Sequence, residues 1–156
     1  FYLRMSDILK NPKARRDYRI LETYEAGLAL RGTEVKSLRA GKGQIRDAFA
    51  KVDPGGEAWL VNAHIDEYTQ GNIHNHDPKA PRKLLLHRKE IEKLKAFTQA
   101  KGYALVPLKM YWKKGKVKVL LGVGQGKNRV DKREDLRKRD TDLQMRNAMM
   151  RNVKGR

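Results

Sequence analysis

The chain has 156 residues, enough for one domain with a core, and carries 36 Lys and Arg against 18 Asp and Glu, a formal charge of +18. Charged residues make up 35% of it, and a small protein this basic attracts polyanions, nucleic acid first and anionic membrane second. It has no cysteine, which excludes a disulfide framework, a thiol nucleophile and cysteine-ligated zinc, and it has no apolar run near the roughly 18 residues of a membrane span.

Asn11-Pro12-Lys13-Ala14-Arg15-Arg16 is a basic cluster just before the first expected strand, in which Tyr18, Ile20, Glu22 and Tyr24 alternate with charged or polar neighbours. The segment Thr33 to Arg39 reads as a short helix, with Thr33 as its cap, Val35 and Leu38 on one face and Gly41 as its stop. Lys36, Arg39 and Lys42 surround it. Ala48, Ala50 and Val52, then Asp53-Pro54-Gly55-Gly56, then Ala58 to Ile65 predict a hairpin around a Pro-Gly turn.

Residues 66–83 read as a polar loop. Within it, His74-Asn75-His76-Asp77, with His64 and Asp66 upstream, offers an H-x-H spacing that a metal-dependent nuclease could use. Such a site would need a third ligand from loosely placed residues. Leu84-Leu85-Leu86 follows, among Lys79, Arg82, Lys83, Arg88 and Lys89. Alternation points Leu84 and Leu86 one way and Leu85 the other, and a leucine exposed beside lysines suits contact with an unstacked base.

Residues 88–101 read as a helix, with Ile91, Leu94 and Phe97 on one face, Gly102 past its end and His87 near its start. Tyr103 to Trp112 is a strand, where Pro107 requires an edge position or a bulge. Lys113 to Lys116 turns it into the strict alternation of Val117, Val119, Leu121 and Val123. Gly122 to Gly126 lacks the layout of a phosphate loop and reads as a flexible exit from this strand. No nucleophile-elbow or Ser-His-Asp pattern appears. The expected fold is mainly β: two helices on about six short strands, in an antiparallel barrel or sandwich.

Composition changes near Gly124, and residues 126–156 hold eleven Lys and Arg against five Asp and Glu. The organisation expected is a compact body, 1–125, and a basic tail, 126–156. Leu136, Leu143 and Met150 give the tail only a thin apolar line, so it is expected to be disordered in solution and helical on a partner.

Gly32-Thr33-Glu34-Val35-Lys36-Ser37-Leu38-Arg39-Ala40-Gly41-Lys42 closely resembles the hallmark segment of the SmpB family, the SsrA-binding proteins of bacteria. So do Asn11-x-x-Ala14-Arg15 with Tyr18, Tyr24-Glu25-Ala26-Gly27, Asn75-His76-Asp77-Pro78, Arg82 to Leu86 and Asp131-Lys132-Arg133. The resemblance spans about residues 11–140. It implies an oligonucleotide-binding (OB) type barrel with flanking helices, and RNA binding in the cytoplasm rather than catalysis, with no cofactor, metal or membrane. The implied partners are the tRNA-like domain of transfer-messenger RNA and the small-subunit decoding centre and mRNA channel of a stalled ribosome. The result is trans-translation: the stalled peptide is tagged and the ribosome rescued.

The resemblance places Asn11, Lys13, Arg15, Arg16, Tyr18, Glu25 and Leu85 on or behind the face that meets the tRNA-like domain. Lys36, Arg39, Lys42 and Lys83 are expected phosphate contacts by their own chemistry. Gly126, Lys127, Asp131, Lys132 and Arg133 match the segment used in the decoding centre. Asn128 and Val130 depart from the family pattern, which often has a second lysine and an aromatic or histidine there. Composition alone also allows a ribosomal protein or an RNA chaperone, and His64, His74, His76 and Asp77 allow the metal-dependent nuclease.

Overall fold

The computed structural model describes residues 6–70 and 74–126. Apart from Gly126, the expected tail and its residues Lys127, Asp131, Lys132 and Arg133 lie outside the described residues.

In chain order the elements are β1 (Ser6–Lys10), α1 (Pro12–Asp17), β2 (Tyr18–Leu28), α2 (Gly32–Arg39), β3 (Gly43–Gln44), β4 (Phe49–Val52), β5 (Ala58–Val61), β6 (His64–Ile65), β7 (Arg82–Leu85), α3 (Arg88–Thr98), β8 (Tyr103–Lys113) and β9 (Lys116–Gly126). The fold is mainly β and antiparallel, as expected, with more elements than the sequence suggested. β1 and α1 were not legible, and β2, β8 and β9 are 11 residues each.

Strand pairing runs β8–β4–β5–β7–β2–β9, and β9 pairs back onto β8, which closes the sheet into a barrel-like ring. β8 shares one edge between two partners: β4 meets it at Ala50↔Leu105, and β1 takes Lys109 to Trp112. Pro107 falls in the gap between these two partners, where that edge of β8 has no strand pairing, and beside a bulge, so both expected forms of tolerance meet there. The register between β8 and β9 slips between Pro107 and Lys109.

Alternation along these strands supplies the core. Ala26, Leu60, Leu84, Met110, Val119, Leu121 and Val123 point inward and are fully buried. Leu38 of α2 and Leu94 and Phe97 of α3 join them. α3 thus buries the face that its spacing predicted, but it ends at Thr98 with Gln99 as its C-cap, three residues short of the expected end, and Gly102, at φ +89°, turns the chain into β8 instead of stopping the helix. The opposite face of β2, β8 and β9 carries a second small cluster, where Ala14, Val106 and Leu108 pack with Tyr18, Ile20 and Leu120.

That second cluster corrects the reading of Gly122 to Gly126 as a flexible exit. β9 runs through Gly126, and the glycines clear space for side chains from β2. A Cβ on Gly124 would stand 2.7 Å from Tyr18 Cβ, and one on Gly122 would stand 3.2 Å from two carbons of Ile20.

α2 begins at Gly32, so Thr33 is not its cap. Arg31 is the N-cap residue, and its N–H donates to Glu34 Oε1 at 2.8 Å. The Thr33 hydroxyl instead meets His76 Nδ1 at 2.8 Å. Gly41, at φ +71°, ends the helix as expected.

Candidate nucleic-acid interface

Directly opposed residues in an antiparallel sheet share a face. Across four strands the register aligns Leu85 of β7, Gly27 of β2, Lys118 of β9 and Tyr111 of β8. Leu84, Ala26, Val119 and Met110, one residue along, face the core, so this row lies on the opposite side of the sheet, where Leu85 and Lys118 reach the surface and Tyr111 is buried.

Leu85 is 52% exposed. It meets Lys118 above Gly27: a Cβ built there would lie 3.2 Å from Leu85 Cβ and 3.6 Å from Lys118 Nζ. The row therefore sets an apolar side chain against an ammonium with only backbone beneath them.

Glu25 stands two residues before Gly27 on the same face. It accepts the Tyr111 hydroxyl at 2.5 Å and Lys113 Nζ at 3.0 and 3.2 Å. The Tyr111 and Lys113 hydrogen bonds hold its carboxyl below the ordinary value of 4.5. Burial, reinforced by Glu25, pushes the Tyr111 phenol above its ordinary 10.0. Glu25 is thus a fixed anion that anchors a tyrosine and a lysine. Lys109 Nζ lies 5.2 Å from the Tyr111 ring centroid and 3.6 Å from Asp7. Lys83, on the same face of β7 as Leu85, pairs with Glu57 at 3.2 Å. A groove runs from Glu25 and Lys118 past Leu85 to His87, Glu90 and Ile91 at the start of α3. His87 is the N-cap residue of α3, in keeping with its expected place.

Further along the same sheet face, α1 packs through Ala14 on the second cluster, beside Tyr18. Asn11 is 4% exposed. Its amide donates to Ile45 O at 3.1 Å and Pro107 O at 2.8 Å, its Oδ1 accepts Ala14 N–H, and its backbone N–H reaches Leu108 O. Asn11 therefore caps α1 and ties it to the bulge at Pro107, which places it behind the face. Arg15 and Arg16, in the last turn of α1, are exposed. Lys13 meets Asp47 at 3.4 Å.

One face of β7–β2–β9–β8 thus brings together Glu25, Leu85 and Lys83, with Lys13, Arg15, Arg16 and Tyr18 at its α1 end. Lys36, Arg39 and Lys42 belong elsewhere. Arg39 lies 5.8 Å from the ring centroid of Trp112, which points to the side of β8 opposite Tyr111, and Lys36 lies 5.3 Å from that of Tyr68. Gly126 is exposed at the end of β9.

Sequence reasoning missed Lys118, Tyr111, Lys109 and Lys113. The alternation of Val117, Val119, Leu121 and Val123 implies only that Lys118, between two of them, faces water, and nothing local reveals that Leu85 and Glu25 flank it. Reasoning also missed the internal use of the hallmark residues. Glu34 Oε2 accepts Arg82 Nε, and Arg82 further donates to Ala63 O at 2.7 Å, Pro78 O at 3.0 Å and Asp77 O at 3.1 Å. These two charged side chains are 2% and 5% exposed and tie α2 to β7.

The histidine cluster does not assemble as the nuclease reading requires. His76 is buried, and both its ring nitrogens are engaged inside the protein, Nδ1 with Thr33 and Nε2 with Ile65 O at 2.9 Å. Among the described residues, no three His, Asp or Glu side chains are grouped to hold a metal ion. Nor, among them, is any helix long and apolar enough to cross a membrane.

The SmpB protein family profile matches residues 8–151. The chain belongs to the SmpB family. An SsrA-binding protein of Oceanobacillus iheyensis is 56% identical over 146 residues, covering 91% of this chain and 94% of the relative. That of Bacillus subtilis is 53% identical, covering 94% and 93%. A solved chain reported under "tmRNA-SmpB: a journey to the center of the bacterial ribosome" is 50% identical, with a TM-score of 0.65, over 82% of this chain and 93% of its own. Among the described residues, the motifs that carried the resemblance thus sit on an SmpB fold, several as outward residues of one sheet face and others, Glu34 and Arg82 among them, as its internal ties.

Proposed function

We propose that this SmpB-family chain binds the tRNA-like domain of transfer-messenger RNA and delivers it to stalled ribosomes for peptide tagging and rescue. The SmpB family match over residues 8–151, together with relatives named SsrA-binding proteins, carries the reading. The binding face is the outer side of β7–β2–β9–β8. Folded RNA is recognised by backbone, shape and unstacked bases. There, Lys118, Lys83, Lys113, Arg15, Arg16 and Lys13 supply phosphate contacts, and Leu85 supplies a flat apolar contact for an exposed base. Glu25 accepts from a base edge or 2′-hydroxyl while it anchors Tyr111 and Lys113, and Tyr18 and Asn11 support the α1 end.

Lys36, Arg39 and Lys42 form a second basic surface for phosphates. Gly126, Lys127, Asp131, Lys132 and Arg133 reach into the decoding centre, and the basic tail probes the empty mRNA channel. The ribosome performs the chemistry, and this chain acts as an adaptor in the cytoplasm.

The test compares binding to a tRNA-like fragment of transfer-messenger RNA and to unrelated structured RNA at matched high salt, where bulk charge attraction fades. Strong preference for the tRNA-like fragment is expected, with Lys118→Ala reducing it at least several-fold. Equal binding to both RNAs refutes the reading. Removing 127–156 is expected to leave this binding nearly intact and to abolish tagging in a reconstituted stalled-ribosome assay.

A further inference from the structure

The outer face of the β4–β5 hairpin continues the surface that carries Leu85. The register sets Lys51 of β4 opposite Trp59 of β5, and Trp59 opposite Lys83 of β7; the next outward pair is Phe49 with Val61. Ala50, Ala58 and Leu60 between them face the core. Phe49 is 40% exposed, and among the described residues the only other large exposed hydrophobic side chain is Leu85. Both lie on one strip, Phe49–Lys51–Trp59–Lys83–Leu85, in which apolar and aromatic groups alternate with lysines.

The indole in this strip is held in place. Trp59 Nε1 donates to Asp53 Oδ2 at 2.8 Å, and Asp53 Oδ1 accepts the Glu57 N–H at 2.9 Å. With its N–H engaged, Trp59 offers a ligand its π-face. Of the nearby acids, Glu57 pairs with Lys83 and Asp47 with Lys13. Past Phe49 the strip opens into a groove along α1, lined by Arg46, Lys13, Tyr18 and Tyr103.

We propose that this strip is a stacking platform for unpaired bases of the RNA bound at Leu85 and Lys118, with the strand running from β7 across β5 to β4 and on toward Arg46. It rests on the RNA-binding reading above and extends it. Aromatic faces between cations are the recurring solution for single-stranded nucleic acid, because every base has a π-face and every nucleotide a phosphate. Trp59 and Phe49 are diagonal neighbours across the β4–β5 pair, some 7–8 Å between Cα atoms, within the reach of consecutive unstacked bases. A second copy of this chain fits the strip poorly, since two bodies of charge +18 would meet through their lysines.

The chain has two tryptophans, so Trp112→Phe leaves Trp59 as the only indole. The full-length W112F protein is titrated with transfer-messenger RNA while binding is followed independently by anisotropy of labelled RNA. Trp59 emission is expected to be quenched in step with binding. Phe49→Ser, at an exposed position that leaves the core untouched, is expected to weaken binding roughly 5- to 100-fold, and Phe49→Trp to preserve it. RNA binding without change in Trp59 emission, together with wild-type affinity in F49S, overturns the platform and leaves the Lys118 site standing. Failure of the unmodified chain to prefer transfer-messenger RNA overturns the underlying reading and the platform with it. A concentration-dependent dimer, seen by sedimentation and lost in F49S, assigns the strip to a second copy and overturns the proposal.

Discussion

Removing one partner of the Arg82–Glu34 pair should destabilise the fold far more than removing any surface ion pair. Both side chains are almost fully buried, so Glu34→Gln leaves the Arg82 guanidinium charged and uncompensated, a loss of about 3–5 kcal/mol. Arg82→Met goes further. It also strips a donor from Ala63 O, a carbonyl on a residue with no exposed surface, at an additional ~1–3 kcal/mol. Asp77 and Pro78 are more exposed, so water replaces Arg82 at their carbonyls. Against a typical domain stability of about 5–15 kcal/mol, R82M approaches the threshold of unfolding. The double variant removes both charges and is expected to cost less than the sum of the singles by about 1–3 kcal/mol. Urea denaturation followed by circular dichroism gives all three values. Single variants within ~1 kcal/mol of the parent, or additive behaviour in the double, would refute the assignment of this pair as a buried tie.

Glu25 yields a pH prediction whose sign follows from its lowered value. Its contribution to stability is fully present above pH 4.5 and is lost as pH falls through its lower folded value. A carboxyl titration of Glu25 by NMR should show a midpoint below 4.5, and Tyr111→Phe, which removes the largest cause, should raise it. An unmoved midpoint in Y111F would contradict the geometry. Gly124→Ala drives a methyl onto Tyr18 Cβ and should cost about 1–3 kcal/mol, read as a drop in thermal midpoint; an unchanged midpoint would show that β2 yields freely there. Glu25→Lys should weaken RNA binding despite the added positive charge, because Tyr111 and Lys113 lose their anchor. Equal or tighter binding in filter assays would mean that bulk charge alone governs the face.

Strands with strict alternation, such as Val117 to Val123, and the helix carrying Ile91, Leu94 and Phe97 were legible because a single period fixes both element and buried face. The orientation of Leu85 was legible for the same reason. β1 and α1 were not. The cluster from Asn11 to Arg16 reads as surface charge, since what makes it helical is a cap whose amide is satisfied by Ile45 and Pro107, 34 and 96 residues away. Thr33 has the chemistry of a cap, and only the position of His76 shows that its hydroxyl is engaged elsewhere. The site was half legible for the same physical reason. Glu25 and Leu85 stood in recognisable motifs, whereas Lys118 joins them through strand register, a relation between segments that no local pattern encodes.

Gly27 has no functional group, yet it governs how near two functional groups come to each other. The bare backbone there leaves a shallow saddle between neighbouring strands, into which Leu85 and Lys118 both lean. Substituting a chemically inert methyl would wedge the leucine aside and alter recognition while removing no contact atom. A survey of this surface that scored only side chains able to touch a ligand would pass over the position that sets its relief.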